Sequence, residues 1–299
     1  MAIADVALPT EPTTLFYYLE LKDGGIIQTY PGTAFEKRRK HVPHDVKIKD
    51  LRNIREDFTV DSAGFELVSF KSKVKDFANE NEIKDVWYDE VKELMKKVSG
   101  ASEVHIVSHM CRRHTYAEAQ DDAKVKGDQE FVTRNNPARF VHVDQSYRGA
   151  EQIMFLNLPE EEAERRMKKR WAIMNVWAPI DKPVKKDPLA FCDFRSVDEN
   201  DFRTVVANLP PPGAGEYGNT AAKYEVTNMA HNPNQEWFYA SDMTPEEAWV
   251  FKIFDSKDDG RAKCAVHSSF PLKGQDDTSD PRTSIEVRCF VFWDDEEAD

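Results

Sequence analysis

The sequence predicts a mainly β fold with flanking helices, its core a double-sheet jelly roll. Two observations carry that reading. From Phe140 onward, short apolar runs of strand length alternate with turn signals, about eight of them, the strand count of a jelly roll. Ahead of them lies one clear helical stripe at residues 81–98, suited to bracing such a core from outside.

Taken in order, the first dozen residues, with Pro9 and Pro12, read as a loose lead-in. Leu15–Leu21 and Gly25–Tyr30 read as two strands of a hairpin around Asp23, Gly24 and Gly25. In residues 81–98, Ile83, Val86, Trp87, Val91, Leu94 and Met95 recur at helical spacing, and Gly100 follows as a stop. Val104–Val107 then alternates like a strand. The strand candidates of the second half are residues 140–143, 172–177, 189–192, 223–227, 236–240, 248–254, 263–267 and 284–293. Pro210–Gly213 and Asp258–Gly260 supply turns between them. Residues 159–171 interrupt as a surface helix, with Glu161, Glu162 and Glu164 each four residues ahead of Arg165, Arg166 and Lys168. Thr244 and Glu247 have the spacing of a capping box that starts one helical turn.

The 299 residues suffice for one domain that buries its own core. We read 1–299 as a single domain, with 1–130 an N-terminal wrapping extension containing the helix and 131–293 the jelly-roll core. A formal charge of -13, from 41 basic and 54 acidic side chains, argues against nucleic acid as a partner, because it repels a phosphate backbone. The one dense basic run, Lys37 to His41, is short and reads as a solvated loop. Cys111, Cys192, Cys264 and Cys289 form no C-x-x-C pair, which argues for free thiols in a reducing, cytoplasmic setting. No apolar run approaches bilayer length and no leader peptide is visible, so no membrane partner is expected.

The chemistry-bearing signal is a single H-x-D, His142, Val143 and Asp144, at the end of the strand that starts at Arg139. Residues i and i+2 of a strand project from one face, so imidazole and carboxylate enter one cavity. A histidine from a distant strand would complete the 2-His-1-carboxylate facial triad of non-haem Fe(II) oxygenases. Two histidines follow the motif. His231 lies in a loop by composition, Ala230 to Asn234, where a turn-capping role is the bland alternative. His267 ends the strand candidate 263–267, ahead of the last strand, and is the preferred third ligand.

On the last strand, Arg282, Ser284, Glu286 and Arg288 share one face, and Ile285, Val287, Cys289 and Val291 the other. Two arginines and a serine together can grip a dicarboxylate through paired, charge-assisted hydrogen bonds. The competing reading is a solvent-facing side of an edge strand. Trp177, Tyr147, Trp237 and Phe270 are candidate pocket walls, although aromatics in such a fold are more often core.

Several segments carry a wider likeness: Asp50–Arg52, Phe58–Asp61 with Gly64 and Phe65, Arg139–Ser146, Asn175–Pro179, Asp187–Ala190, and Cys192 with Asp193. It continues through Trp237–Tyr239, Phe251 to Ser256, His267 and Arg282–Arg288. On these segments the chain resembles the fungal AsaB-type, or gibberellin-desaturase-like, hydroxylase/desaturases, over residues 15 to 293. The resemblance implies a double-stranded β-helix fold with Fe(II) and, as co-substrate, 2-oxoglutarate. It further implies that dioxygen is used to hydroxylate a small-molecule substrate in fungal secondary metabolism. Desaturation, cyclisation or rearrangement on the same iron site are its alternatives. A non-catalytic, cupin-like ligand-binding module is the alternative from another class. The R-x-S-x-x-x-R pattern at Arg282, Ser284 and Arg288 is also similar to the last strand of alkylated-DNA repair dioxygenases, where both arginines hold 2-oxoglutarate. One departure stands out: Ala178 occupies a position where the family commonly has arginine.

Overall fold

Strand alternation builds two sheets that share a core. In this computed structural model, which describes residues 8–209, 222–278 and 280–298, the larger sheet has nine strands. Their order is β1 (Thr10–Tyr17), β3 (Val42–Asp50), β11 (Trp237–Tyr239), β8 (Leu189–Cys192), β13 (His267–Ser269), β6 (His142–Val143), β10 (Lys223–Met229), β9 (Phe202–Asn208) and β2 (Gln28–Thr29). The smaller sheet has the order β4 (Phe65–Ser69), β12 (Glu247–Asp255), β7 (Lys169–Pro179), β14 (Ser284–Glu297) and β5 (Glu103–Arg112). Phe191 of the larger sheet meets Phe65, Trp249 and Phe251 of the smaller one, with ring centroids 4.8–5.0 Å apart. This is the jelly roll that the sequence predicts.

The smaller sheet is buried on both faces, so its strands read as continuous apolar runs. Along β7, Trp171, Ile173 and Trp177 enter the core between the sheets, while Ala172, Met174, Val176 and Ala178 enter a second core outside it. A helical rod covers that second core: α2 (Glu80–Glu82), a π-helical turn at Ile83–Trp87, and α3 (Tyr88–Ser99). The predicted stripe of Ile83, Trp87, Val91, Leu94 and Met95 is its buried face. Gly100 ends it in the left-handed conformation, φ 72°, which costs glycine nothing. Buried charges tie the strands together. Asp255 accepts from Arg170 at 2.8 Å and Lys252 at 2.7 Å, and Lys252 also reaches Asp61.

The other helices are α1 (Ala34–Lys37), α4 (Tyr116–Val125), α5 (Tyr147–Asn157) and α6 (Glu160–Arg166). Helix α5 follows β6 directly. A Cβ on Gly149 would lie 1.8 Å from the Glu225 carbonyl oxygen, so only glycine lets α5 approach β10 this closely.

Several elements differ from expectation. No hairpin forms around Gly24, because that residue, at φ 97°, closes a 3-10 turn at Leu21–Asp23. Strand β1 pairs instead with β3, and β2 runs parallel to β9. The helix expected over 159–171 stops at Arg166, and β7 begins at Lys169. Glu162 there pairs with both Arg165 and Arg166. Of residues 263–267 only His267 joins a ladder, as the first residue of β13. Thr244 starts no helix: the Glu247 carboxylate accepts from its N–H but also grips Arg52, and β12 begins there. Pro210–Gly213 lies outside the described residues. All four cysteines are free thiols. Among the described residues no helix is long and apolar enough to cross a membrane.

Candidate active site

Three short strands in the middle of the larger sheet set the site. Strand β6 is only His142 and Val143, and it lies between β13 and β10. His142 faces His267 across the β6–β13 ladder and Asn228 across the β6–β10 ladder. Asp144 lies in the bend after β6, before Ser146 caps α5 by accepting from the Gly149 N–H. Val141 and Val143 point the opposite way, into the core.

This framework brings His142, Asp144 and His267 together: one ligand atom from each lies within 4.8 Å of the other two. His142 Nε2 is 3.5 Å from Asp144 Oδ1, and the two imidazole centroids are 4.4 Å apart. Each Nδ1 is spent on a backbone carbonyl two residues earlier, Phe140 at 2.8 Å and Ala265 at 3.0 Å. A carbonyl can only accept, so Nδ1 carries the proton and Nε2 keeps its lone pair for a ligand. Burial, reinforced by the neighbouring His142, pushes His267 down to about 4, which keeps it neutral. Burial opposes ionisation of Asp144, but the adjacent Arg288 guanidinium overrides it and holds the carboxyl well below the usual range. Two imidazoles presenting Nε2 and one carboxylate result, the donor set that suits ferrous iron.

His231 is elsewhere. It stacks on His44 with centroids 3.9 Å apart and a 4° interplanar angle, and meets Tyr17 edge-on.

Strand β14 is not an edge strand; it lies between β7 and β5. Its Ile285, Val287, Cys289 and Val291 are buried in the outer core, leaving Ser284, Glu286 and Arg288 on the face toward the triad. Arg288 Nη2 donates to Asp144 Oδ2 at 2.8 Å. Arg282 is buried over the Trp177 ring and donates through Nη1 to the Asp187 carbonyl oxygen and Ser269 Oγ. Burial, with Arg112 nearby, pushes its guanidinium down to about 9, against the opposing charges of Asp187 and Glu286. Among the described residues Arg282 Nε and Ser284 Oγ have no hydrogen-bond partner. Unpaired buried polar atoms are costly, and these fit an absent carboxylate.

Sequence reasoning missed Asn175. Its Nδ2 donates to Asp144 Oδ2 at 3.0 Å and to Glu286 Oε1 at 2.9 Å. Burial, then the Asp144 charge, pushes the Glu286 carboxyl up. A cavity of about 400 Å³ opens beside the triad, bordered by His142, Asp144, Glu286 and Arg288. None of the four aromatics expected as walls lines it; its aromatic borders are Phe16, Tyr116, Phe140 and Tyr224. The basic run is also not a fully solvated loop. Arg38 and Lys40 are exposed, but Lys37, Arg39 and His41 border the cavity. Lys37 ends α1 and Arg38 caps it in the helical conformation, φ -90° and ψ -2°, before residues 39–41 lead into β3. Ala178 faces the outer core, away from Asn175 and the cavity.

A jelly roll carrying a 2-His-1-carboxylate cluster at its cavity defines the class: the fold and donor set shared by non-haem iron oxygenases. A family described as oxidoreductase/YMDC permease-like domain matches residues 15–292, and the chain belongs to it, among the fungal hydroxylase/desaturases. It is 41% identical to the hydroxylase/desaturase CTB9 of Cercospora beticola over 95% of this chain and 87% of that one. It is 39% identical to the hydroxylase/desaturase efuI of Hormonema carpetanum over 98% of this chain and 99% of that one. Its fold is similar to a solved structure of the iron and alpha-ketoglutarate-dependent endoperoxidase NvfI, with TM-score 0.74 and 22% identity over 96% of this chain and 99% of that one.

Proposed function

We propose that this protein is a non-haem Fe(II)- and 2-oxoglutarate-dependent dioxygenase that hydroxylates a small secondary metabolite. In this reading His142, Asp144 and His267 hold the iron, and Arg282, Ser284 and Arg288 grip the co-substrate. One observation carries it: with both Nδ1 atoms engaged by the backbone, the ligand atoms of two imidazoles and one carboxylate meet within 4.8 Å. The activities named for the Cercospora beticola relative and for NvfI agree with that donor set. We take residues 1–299 as one working unit, 1–130 wrapping the core at 131–293, acting in the cytoplasm without nucleic acid or membrane.

Iron bound there with 2-oxoglutarate and dioxygen supplies the oxidant that removes hydrogen from a substrate carbon. The chain's own groups set the conditions. Asp144, kept ionised beside Arg288, supplies the one negative charge among the ligands. Asn175 fixes the orientation of that carboxylate through its Nδ2. Arg282, whose Nε has no hydrogen-bond partner among the described residues, orients a dicarboxylate through its remaining donors. Phe140 packs 4.5 Å from His142 and covers one side of the triad, limiting water there.

The test is anaerobic addition of Fe(II) and 2-oxoglutarate, read as the visible charge-transfer band of the chelate. His267→Ala should abolish the band and His231→Ala should leave it. A band lost only with His231→Ala, or never formed by the wild type, would sink the assignment. Desaturation is the second reading, favoured by the relatives' double name. Product mass separates the two, since hydroxylation adds one oxygen and desaturation removes two hydrogens.

A further inference from the structure

The basic run at the cavity wall has no task in the chemistry above. Lys37 Nζ donates to Asn136 Oδ1 at 2.7 Å, and Arg112 Nη1 donates to the Asn136 backbone oxygen. Arg39 stands over the Tyr18 ring, 5.7 Å from its centroid. All three cations border the cavity. Among the described residues none has a carboxylate within 4 Å, although the chain carries 54 acidic residues.

The acidic groups nearby are otherwise engaged. Glu36, also on the cavity wall, accepts from the Gly32 N–H at 2.9 Å. Glu286 and Asp144 are held by Asn175 and Arg288. Arg139, another cavity cation, is neutralised by Asp187 and Asp277. Glu36 offsets Lys37 and Arg39, and Glu286 offsets Arg112, only from beyond ion-pair distance, and burial weakens the solvation that would otherwise relieve the mutual repulsion of the cations.

Unpaired donors and acceptors mark the same wall. Arg39 Nε and His41 Nε2 are buried with no hydrogen-bond partner among the described residues. His41 stacks on Phe140 with centroids 5.2 Å apart, and Phe140 lies 4.5 Å from His142. The row from Lys37 to His41 therefore reaches the triad from its His142 side, while Arg288 reaches it from the Asp144 side. The two groups of cations approach the triad through different ligands. Apolar borders, Phe16, Val132 and Val226, complete the cavity.

We propose that Lys37 and Arg39 form an anion-binding end of the cavity, and that the molecule oxidised at the triad carries a carboxylate or similarly acidic group docked there. Its apolar body would lie along Phe16 and Phe140, with the carbon to be oxidised beside His142. That the anion is a substrate rests on the oxygenase reading; that the wall binds an anion does not.

Two probes of one shape test this: 2-naphthoate, an anion, and 2-naphthamide, its neutral counterpart. Each is titrated calorimetrically into apoprotein and into anaerobic protein saturated with Fe(II) and 2-oxoglutarate. Wild type should bind the acid at least about tenfold more tightly than the amide. Arg39→Gln and Lys37→Gln should each cut acid binding by about tenfold and leave amide binding unchanged. Lys40→Gln removes the same charge from an exposed site and should change neither. The 2-oxoglutarate needed to develop the visible band should be the same in all four proteins.

Equal binding of acid and amide by wild type overturns the proposal. So does a Lys40→Gln effect as large as that of Arg39→Gln, which would reveal only a diffuse field. An Arg39→Gln protein that needs more 2-oxoglutarate but binds naphthoate normally would assign these cations to the co-substrate instead. If no band forms in wild type but apoprotein still prefers the acid, the oxygenase reading fails and the anion site stands.

Discussion

Arg288 donates to Asp144 Oδ2 at 2.8 Å, while Asp144 Oδ1 faces His142 Nε2 at 3.5 Å. One residue of the proposed co-substrate grip thus holds a proposed metal ligand in place. Outer partners of this kind are typically worth about 10–100-fold in metal affinity. Arg288→Ala should therefore weaken Fe(II) binding by about that factor, besides raising the 2-oxoglutarate requirement. Anaerobic Fe(II) titration without co-substrate reads the first effect alone. Unchanged iron affinity would show that the contact does not tune the metal.

Metal binding and folding should be coupled, because the two candidate histidines sit on strands of two and three residues and Asp144 in the bend after the first. A ligand that binds only the folded state, at 100 times its dissociation constant, adds about 2.7 kcal/mol. For a chain of this size that corresponds to a rise in Tm of roughly 4 °C. Chelation should lower Tm accordingly, and His142→Ala should make Tm insensitive to both iron and chelator. A wild-type Tm indifferent to iron would refute this.

Acid stability should depend on Asp255. Burial opposes its ionisation, yet Arg170 and Lys252 hold its carboxyl below the ordinary value. A depressed folded-state pKa gives stability that is full above the unfolded value, about 3.9, and fades as pH falls through the folded value. Asp255→Asn leaves Arg170 and Lys252 without their shared carboxylate, at a cost of about 3–5 kcal/mol near neutrality. Urea unfolding should show the two proteins converging as pH drops below 4. A constant gap across that window would contradict the linkage.

Gly149→Ala should destabilise the protein by about 1–3 kcal/mol, because the new methyl collides with the Glu225 carbonyl and must push α5 away from β10. That displacement begins five residues after Asp144, so iron affinity should fall along with Tm. Denaturant midpoints and the Fe(II) titration report the two effects separately. A substitution that leaves both unchanged would show that α5 shifts freely.

The cluster of His142, Asp144 and His267 was legible because the first histidine and the carboxylate are two residues apart and the second histidine precedes the last strand. Asn175 also left a signal: it is the one polar residue between Trp171 and Ala178, and a lone amide in a buried run needs partners. The basic run misled because charge alone does not say which side chains of a helix end and the segment after it face inward. Strand β1 was legible only from Leu15 on, and β3 was hidden, for another reason. Pro12 interrupts β1, which tolerates it as an edge strand, and Pro43 interrupts β3 at the end where it pairs with β1 and not with β11. Their pairing with each other is long-range, and nothing local announces it.

The cavity draws its walls from distant parts of the chain. Residues before position 42 furnish Lys37, Arg39 and Phe16, while the proposed ligands come from positions 142, 144 and 267. A change at Lys37 or Arg39 can redefine admission to the chamber without disturbing the atoms that perform the oxidation. New selectivity is thus open to a few substitutions in a short early stretch, with the reaction centre inherited intact.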